Sequence, residues 1–260
     1  MTTPAAPVEP KPDPSVRMGS GGEFDLIRRL LGPPTDLGPA VVVGPGDDAA
    51  VLDLSRAILS TDLTIEGVHF RRAWVTLAEA GSRAVLAAAS DLAAMAASPV
   101  AILVSLAVAA DESDTLGELG EGIRSAAGVL GVPLVGGDLT TSPGPIVIDV
   151  TVVGESEAPV TRAGAAAGDE MWVTGVLGGS AGAVHAWREG TEPAAELREA
   201  FVRPTVRIEE ALWLVDHGGV RAMIDLSDGL AGDAGHLAAA AGVRIVLDPG
   251  AVPIHAGLPE

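Results

Sequence analysis

The chain runs to 260 residues, long enough for one large domain or two modest ones around a substantial core. Its formal charge is −19, from 35 acidic against 16 basic residues, which argues against the basic face that nucleic-acid binding requires. With no cysteine at all, it has no disulfide, no thiolate zinc site and no cysteine nucleophile.

Residues 1–18 hold Pro4, Pro7, Pro10, Pro12 and Pro14 among small and polar residues, the composition of a disordered tail. No basic stretch followed by an apolar one opens the chain, so the reading is a cytoplasmic protein without a secretory leader. Phe24, Leu26, Ile27, Leu30 and Leu31 predict a short amphipathic helix, ended by Pro33-Pro34. Strands are expected at 41–43 and 49–54, either side of a glycine turn, and at 57–63. An alanine-rich helix follows at 76–97 and an apolar strand at 101–109. The longest apolar stretch, 84–110, is broken by Ser90-Asp91 and Ser98-Pro99. It falls short of the roughly 20 uninterrupted apolar residues of a membrane span, and no membrane partner is expected. Helix 116–130, a short strand 134–135 running into Gly136-Gly137, and strand 146–153 complete the first half.

A break rich in Gly, Ala, Glu and Pro falls at 154–168. Beyond it come strand 170–174, helices 181–188, 194–202 and 208–217, strand 222–226, helix 233–241 and strand 243–247. The alternation argues for a mixed α/β or α+β fold with covered sheet faces. The expected division is a tail at 1–18, an N-terminal domain at 19–155, and a C-terminal domain at 160–260 that looks incomplete, because no closing element precedes Glu260.

The informative feature is acidic. Gly44-Pro45-Gly46-Asp47-Asp48, Ser60-Thr61-Asp62, Ser90-Asp91, Gly136-Gly137-Asp138 and Asp225-Leu226-Ser227-Asp228-Gly229 each set a carboxylate beside small or hydroxyl residues near an apolar run. The one lysine, Lys11, lies in the tail. Converging carboxylates repel one another and raise their own pKa values. Hard divalent cations relieve that, and Mg²⁺ is commonly held by carboxylates together with substrate phosphates. Asp47-Asp48 alone suits an ordinary turn, and Ser60-Thr61-Asp62 could equally cap one or offer three oxygen ligands. Asp91 is different: it sits in mid-helix among alanine, valine and leucine, where an unpaired carboxylate is costly, so a metal is the better reading. Paired glycines at Gly136-Gly137 suit a phosphate approach or a plain turn. Capping accounts for one acid among Asp225, Asp228 and Asp233, not for three. His69 reads as a packed or surface residue or a ligand, and Arg162 as a solvated linker arginine or a phosphate fork. His185, His217, His236 and His255 share no ligand spacing and read as structural. No G-x-x-x-x-G-K-[ST] loop is present, so the positive charge for any phosphoryl transfer has to come from aspartate-held metal.

Taken together, Gly22-Glu23-Phe24, Gly46-Asp47-Asp48-Ala49-Ala50, Ser60-Thr61-Asp62, Gly67-Val68-His69-Phe70, Ser90-Asp91-Leu92-Ala93-Ala94-Met95, Gly136-Gly137-Asp138 and Asp225-Leu226-Ser227-Asp228-Gly229-Leu230 resemble the thiamine-monophosphate kinases. These belong to a superfamily with aminoimidazole ribonucleotide synthetase. The resemblance implies ATP-dependent phosphorylation of thiamine monophosphate to thiamine diphosphate. It also implies a mixed-sheet N-terminal domain, an α/β C-terminal domain, and a homodimer paired through the N-terminal domains. Carried over by motif, Asp48, Ser60, Thr61, Asp62, Asp91, Asp138, Asp225 and Asp228 would hold Mg²⁺, with Asp62, Asp91 and Asp138 catalytic. Gly137, Asp138, Arg162 and Ser227 would contact ATP, and His69 the thiamine monophosphate. The family pattern continues past residue 260 through a Gly-Gly-Glu-Asp-Tyr-type segment, whereas this chain has no tyrosine; Leu139 stands where many relatives carry Thr. Two other readings stay open: another ATP-dependent member of the superfamily, and a catalytically impaired dimerisation module that binds nucleotide or metal.

Overall fold

A computed structural model describes residues 22–33, 36–45, 50–109 and 114–258. The predicted tail at 1–18, and Asp47 and Asp48, lie outside the described residues.

Helix α1 (Gly22–Leu31) seats Leu30 in the core. Strands β1 (Val41–Val43) and β2 (Val51–Leu52) pair antiparallel. The main sheet holds β3 (Ala57–Ile65), β4 (Ser98–Val108), β5 (Leu134–Thr141) and β6 (Val147–Glu155) in the order β3-β6-β4-β5. β6 pairs antiparallel with both β3 and β4, while β4 and β5 run parallel. A parallel pair needs a crossover, which α3 (Thr115–Leu130) supplies.

Side chains alternate across each strand. Ile102, Val104, Leu106, Ile148, Val150 and Val152 therefore point to one face, which α2 (Leu77–Ala94) and α3 cover. The two helices approach closely enough that a Cβ at Gly122 would lie 1.8 Å from the Ala78 carbonyl oxygen, so glycine is required there. α2 starts at Thr76, whose hydroxyl accepts from the Glu79 N–H while the Glu79 carboxylate accepts from the Thr76 N–H.

The other sheet face is only half covered. Val41 and the residues around β1 and β2 pack over Ala101, Val135 and Val153. Further along β3, Leu59 and Leu63 remain 64% and 50% exposed. The expectation of two covered faces is thus corrected. Gly136 and Gly137 also lie within β5 rather than in a turn after it. A Cβ at Gly137 would collide with the Val104 carbonyl oxygen at 1.8 Å, so this glycine is demanded by the neighbouring strand.

The C-terminal half contributes α4 (Gly179–Arg188), α5 (Ala195–Val202), α6 (Ile208–His217) and α7 (Leu230–Ala241). The strands expected at 170–174, 222–226 and 243–247 do not form. Apart from an isolated bridge between Leu177 and Ile254, no strand pairing is present there among the described residues. A strand exists only through a paired neighbour, and these segments have none, which leaves Trp172 82% exposed.

Contact between the halves centres on α2. Arg198 of α5 makes a two-pronged ion pair with Glu79, at 2.7 and 2.8 Å. Arg83 donates to the Phe201 carbonyl and lies 4.1 Å from the centre of the Phe201 ring. Trp187 stacks on Trp74 at 5.4 Å and meets Phe201 edge-on at 5.2 Å.

Candidate active site

Three elements bring carboxylates to one cleft: β3 supplies Asp62, α2 supplies Asp91, and the segment before α7 supplies Asp225. The strand alternation sends Ser60 and Asp62 toward α2, where the Ser60 hydroxyl donates to Asp91. Adjacent on the helix, the Ser90 hydroxyl lies 2.7 Å from Asp225 Oδ2 and 2.7 Å from the Ala87 carbonyl oxygen, with its single proton shared between the two acceptors. α2 ends at Ala94, so Asp91 stands in its last turn, at the negative end of the helix dipole, with no basic residue in that turn.

The electrostatics follow. Partial burial pushes the Asp62 carboxyl above the ordinary carboxylate range, and Asp91 and Asp225 add repulsion, against an attraction from His69. Partial burial raises Asp225 as well; Asp91 and Asp233 push it further, while the Ser90 hydroxyl and Arg162 pull it back. Arg83 feels the Asp62 charge, but its own burial is the larger influence and lowers its pKa. The donor set is hard oxygen, crowded and short of positive charge. Those properties fit Mg²⁺.

His69 lies in the loop after β3, on the Asp62 side. The Ile65 N–H donates to its Nδ1 at 3.0 Å, which leaves Nε2 as the ring nitrogen that can donate. Trp74, stacked on Trp187, ties the end of that loop to the C-terminal half. Arg162, in a short 3₁₀ turn capped by Thr161, is exposed and near enough to Asp225 to lower its pKa. Ser227 and Asp228 are exposed beside Asp225, and their backbone N–H groups both donate to Asp233, at 3.1 and 3.2 Å. The Ser227 N–H is thus engaged, and its hydroxyl remains for a ligand.

Two expected ligands lie elsewhere. Thr61 alternates to the opposite sheet face, where its hydroxyl donates to Asp149 at 2.8 Å and meets the Thr151 hydroxyl at 3.1 Å. Asp138 shares that face, because it pairs with Ser105, which in turn pairs with Asp149. It also sits on β5, the edge strand opposite β3, three strand spacings or roughly 14 Å away. Within one chain, then, Ser60, Asp62, Asp91 and Asp225 come together, and Thr61 and Asp138 do not join them. Ser90 and Arg83, not among the residues expected to bind, also belong to the site: Ser90 through Asp225 and Arg83 through the charge of Asp62. Ser90 could have been found from its place next to Asp91, since both stand on the helix turn facing the cleft.

The AIR synthase related protein N-terminal domain family matches residues 46–156, and the corresponding C-terminal domain family matches 166–259. A thiamine-monophosphate kinase from Mycobacterium tuberculosis is 38% identical over 243 residues, covering 89% of this chain and 70% of that relative. The chain belongs to the thiamine-monophosphate kinase family. The crystal structure of thiamine-monophosphate kinase from Stenotrophomonas maltophilia K279a superposes with a TM-score of 0.76 at 31% identity, covering 90% of this chain and 75% of that one. AaThiL complexed with AMPPCP and TMP gives a TM-score of 0.68 at 31% identity, covering 84% and 69%. In this chain the AIR synthase related N-terminal domain carries the mixed sheet, and the described regular elements of the C-terminal domain are helices. Among the described residues no helix is long and apolar enough to cross a membrane.

Proposed function

We propose that this chain transfers the γ-phosphoryl group of ATP to the phosphate of thiamine monophosphate, with Mg²⁺ as the metal. The observation that carries this is the convergence of Asp62, Asp91 and Asp225 with too little positive charge around them, in a chain of this family. Support comes from AaThiL, complexed with AMPPCP and TMP.

Ser60, Asp62, Asp91 and Asp225 would hold the metal, with Asp228 at the margin. Bound there, Mg²⁺ supplies the charge that neutralises the phosphoryl oxygens of donor and acceptor. The aspartates fix alignment, because each is anchored by a serine hydroxyl or by a rigid strand or helix. His69 offers its Nε2–H to an anionic substrate oxygen, and Arg162 offers a guanidinium fork beside Asp225. The acceptor phosphate is already ionised, so the residues need not supply a general base.

We also assign the chain to a homodimer, with residues 19–155 as the metal-binding and pairing domain and 160–260 as the second domain. The exposed Leu59 and Leu63 on an edge strand support pairing through the open sheet face.

The test is incubation of the 260-residue chain with ATP, Mg²⁺ and thiamine monophosphate, followed by chromatography for thiamine diphosphate. Product that vanishes on adding a chelator is expected. Binding of Mg·ATP with no product would reject the kinase reading for this chain.

A further inference from the structure

We infer that Asp169, Arg221 and Gly164 form a clasp that positions Arg162 opposite Asp225, and so sets the spacing between the guanidinium that meets ATP and a carboxylate that holds its metal. The inference rests on the proposed roles of Arg162 and Asp225. It gives a positioning part to three residues outside that set.

The two groups stand on segments far apart in the chain. Arg162 opens the 3₁₀ turn Arg162–Gly164, and Asp225 ends the irregular stretch 221–225. Among the described residues no strand pairing holds either segment. Functional groups on such segments keep a fixed separation only where supporting contacts lock them.

Three contacts do this. The Met223 N–H donates to the Thr161 carbonyl at 3.4 Å, joining the backbones. Asp169 spans the same gap with its side chain. Its Oδ2 accepts from the Ala166 N–H at 2.7 Å, while its Oδ1 accepts from Arg221 Nη1 at 3.1 Å. The Asp169 N–H returns to the Ala166 carbonyl at 3.1 Å, so the loop behind the turn is tied at both ends. The third contact is steric. A Cβ at Gly164 would lie 1.7 Å from the Arg221 carbonyl oxygen, where real Cβ atoms essentially never approach within 3.0 Å. Any other residue there drives the segments apart by about an ångström or more. The ion pair draws the segments together, and the bare glycine decides how close they come. Arg162 is near enough to Asp225 to pull its pKa down, as that closeness requires.

Initial-rate kinetics and calorimetry with Mg·ATP on the full chain test the clasp. Gly164→Ala should raise the apparent KM for ATP on the order of tenfold and leave that for thiamine monophosphate unchanged. Arg221→Met should weaken Mg·ATP by up to about fivefold, the upper worth of an exposed ion pair, and Arg221→Lys should restore it. In an Arg162→Ala background, Gly164→Ala should have no further effect on ATP, because the guanidinium it positions is gone. Additive losses in that background, or a Gly164→Ala chain that binds Mg·ATP as the parent does, overturn the clasp. Should Gly164→Ala lose its fold, the Arg221 pair decides: equal weakening by Met and Lys, or by neither, overturns it. A parent chain that binds no Mg·ATP removes the kinase reading and the clasp together, whereas a binding parent with an equally binding variant removes the clasp alone.

Discussion

Asp91 meets three unfavourable influences at once: apolar neighbours along α2, the negative end of that helix, and two further carboxylates across the cleft. The last of these gives a pH signature. Asp62 and Asp225 hold their protons more tightly in the folded chain than in the unfolded one. Between the ordinary carboxylate range and their raised values the native state binds more protons, so stability falls as pH rises through that window. Without metal, thermal melts should therefore show this loss toward neutral pH, and Asp91→Asn, which removes a repulsive neighbour of both, should reduce it. A metal-free Asp91→Asn chain that melts well below the parent at neutral pH contradicts the electrostatic account. The same change should cut Mg²⁺-dependent turnover on the order of 10²-fold or more. For His69→Ala, the apparent KM for thiamine monophosphate should rise about tenfold, the worth of one charge-assisted hydrogen bond, with a smaller effect on ATP. Initial-rate kinetics that show a selective effect on ATP would contradict that role. Asp91 was legible in the sequence because a carboxylate in an alanine-rich helix has no cheap explanation. The link from Ser90 to Asp225 was not, since the two stand 135 residues apart and only the fold brings them together.

Among the elements, those of the first half follow their periodicity closely. The helix expected at 76–97 is α2, capped by Thr76 but ending at Ala94, so that Asp91 stands in its last turn rather than in mid-helix, and the strand at 146–153 is β6 displaced by one or two residues. β5 departs from expectation because Gly136-Gly137 carry turn signals, whereas the parallel neighbour β4 needs a residue without Cβ at Gly137. The strands expected in the second half fail for a different reason: alternating apolar residues specify an extended segment, but pairing needs a partner that local pattern cannot provide. Among the described residues, the Trp187 Nε1–H in the packing between the halves is buried without an acceptor. Trp187→Phe should keep the aromatic contact with Trp74 and remove a penalty of about 1–3 kcal/mol, offset by lost ring area. Chemical denaturation should find the variant within about 1 kcal/mol of the parent, while Trp187→Ala should lose about 3–5 kcal/mol. A phenylalanine variant as unstable as the alanine one would show that the indole N–H has an acceptor after all.

For the whole molecule, the open sheet face carries the prediction of assembly. Leu63→Glu, placed beside Asp149 in the register, should put like charges in a pairing surface and shift the chain to monomer in sedimentation velocity. An unchanged dimer would move the contact elsewhere, and a parent chain that sediments as monomer would remove it. Sequence alone suggested that the acids converge; it could not show that alternation along β3 divides Ser60 and Asp62 from Thr61. The path of α2 has a mechanical consequence. Near its start Glu79 is gripped by Arg198, and twelve residues later, about 18 Å along the axis, the same rod presents Asp91. A pivot at one end of a stiff rod becomes a sideways swing at the other. Rocking of α5 by a few degrees would thus be geared into an ångström-scale displacement of a carboxylate, in a reaction where misplacement of about 1 Å can cost 10²-fold in rate.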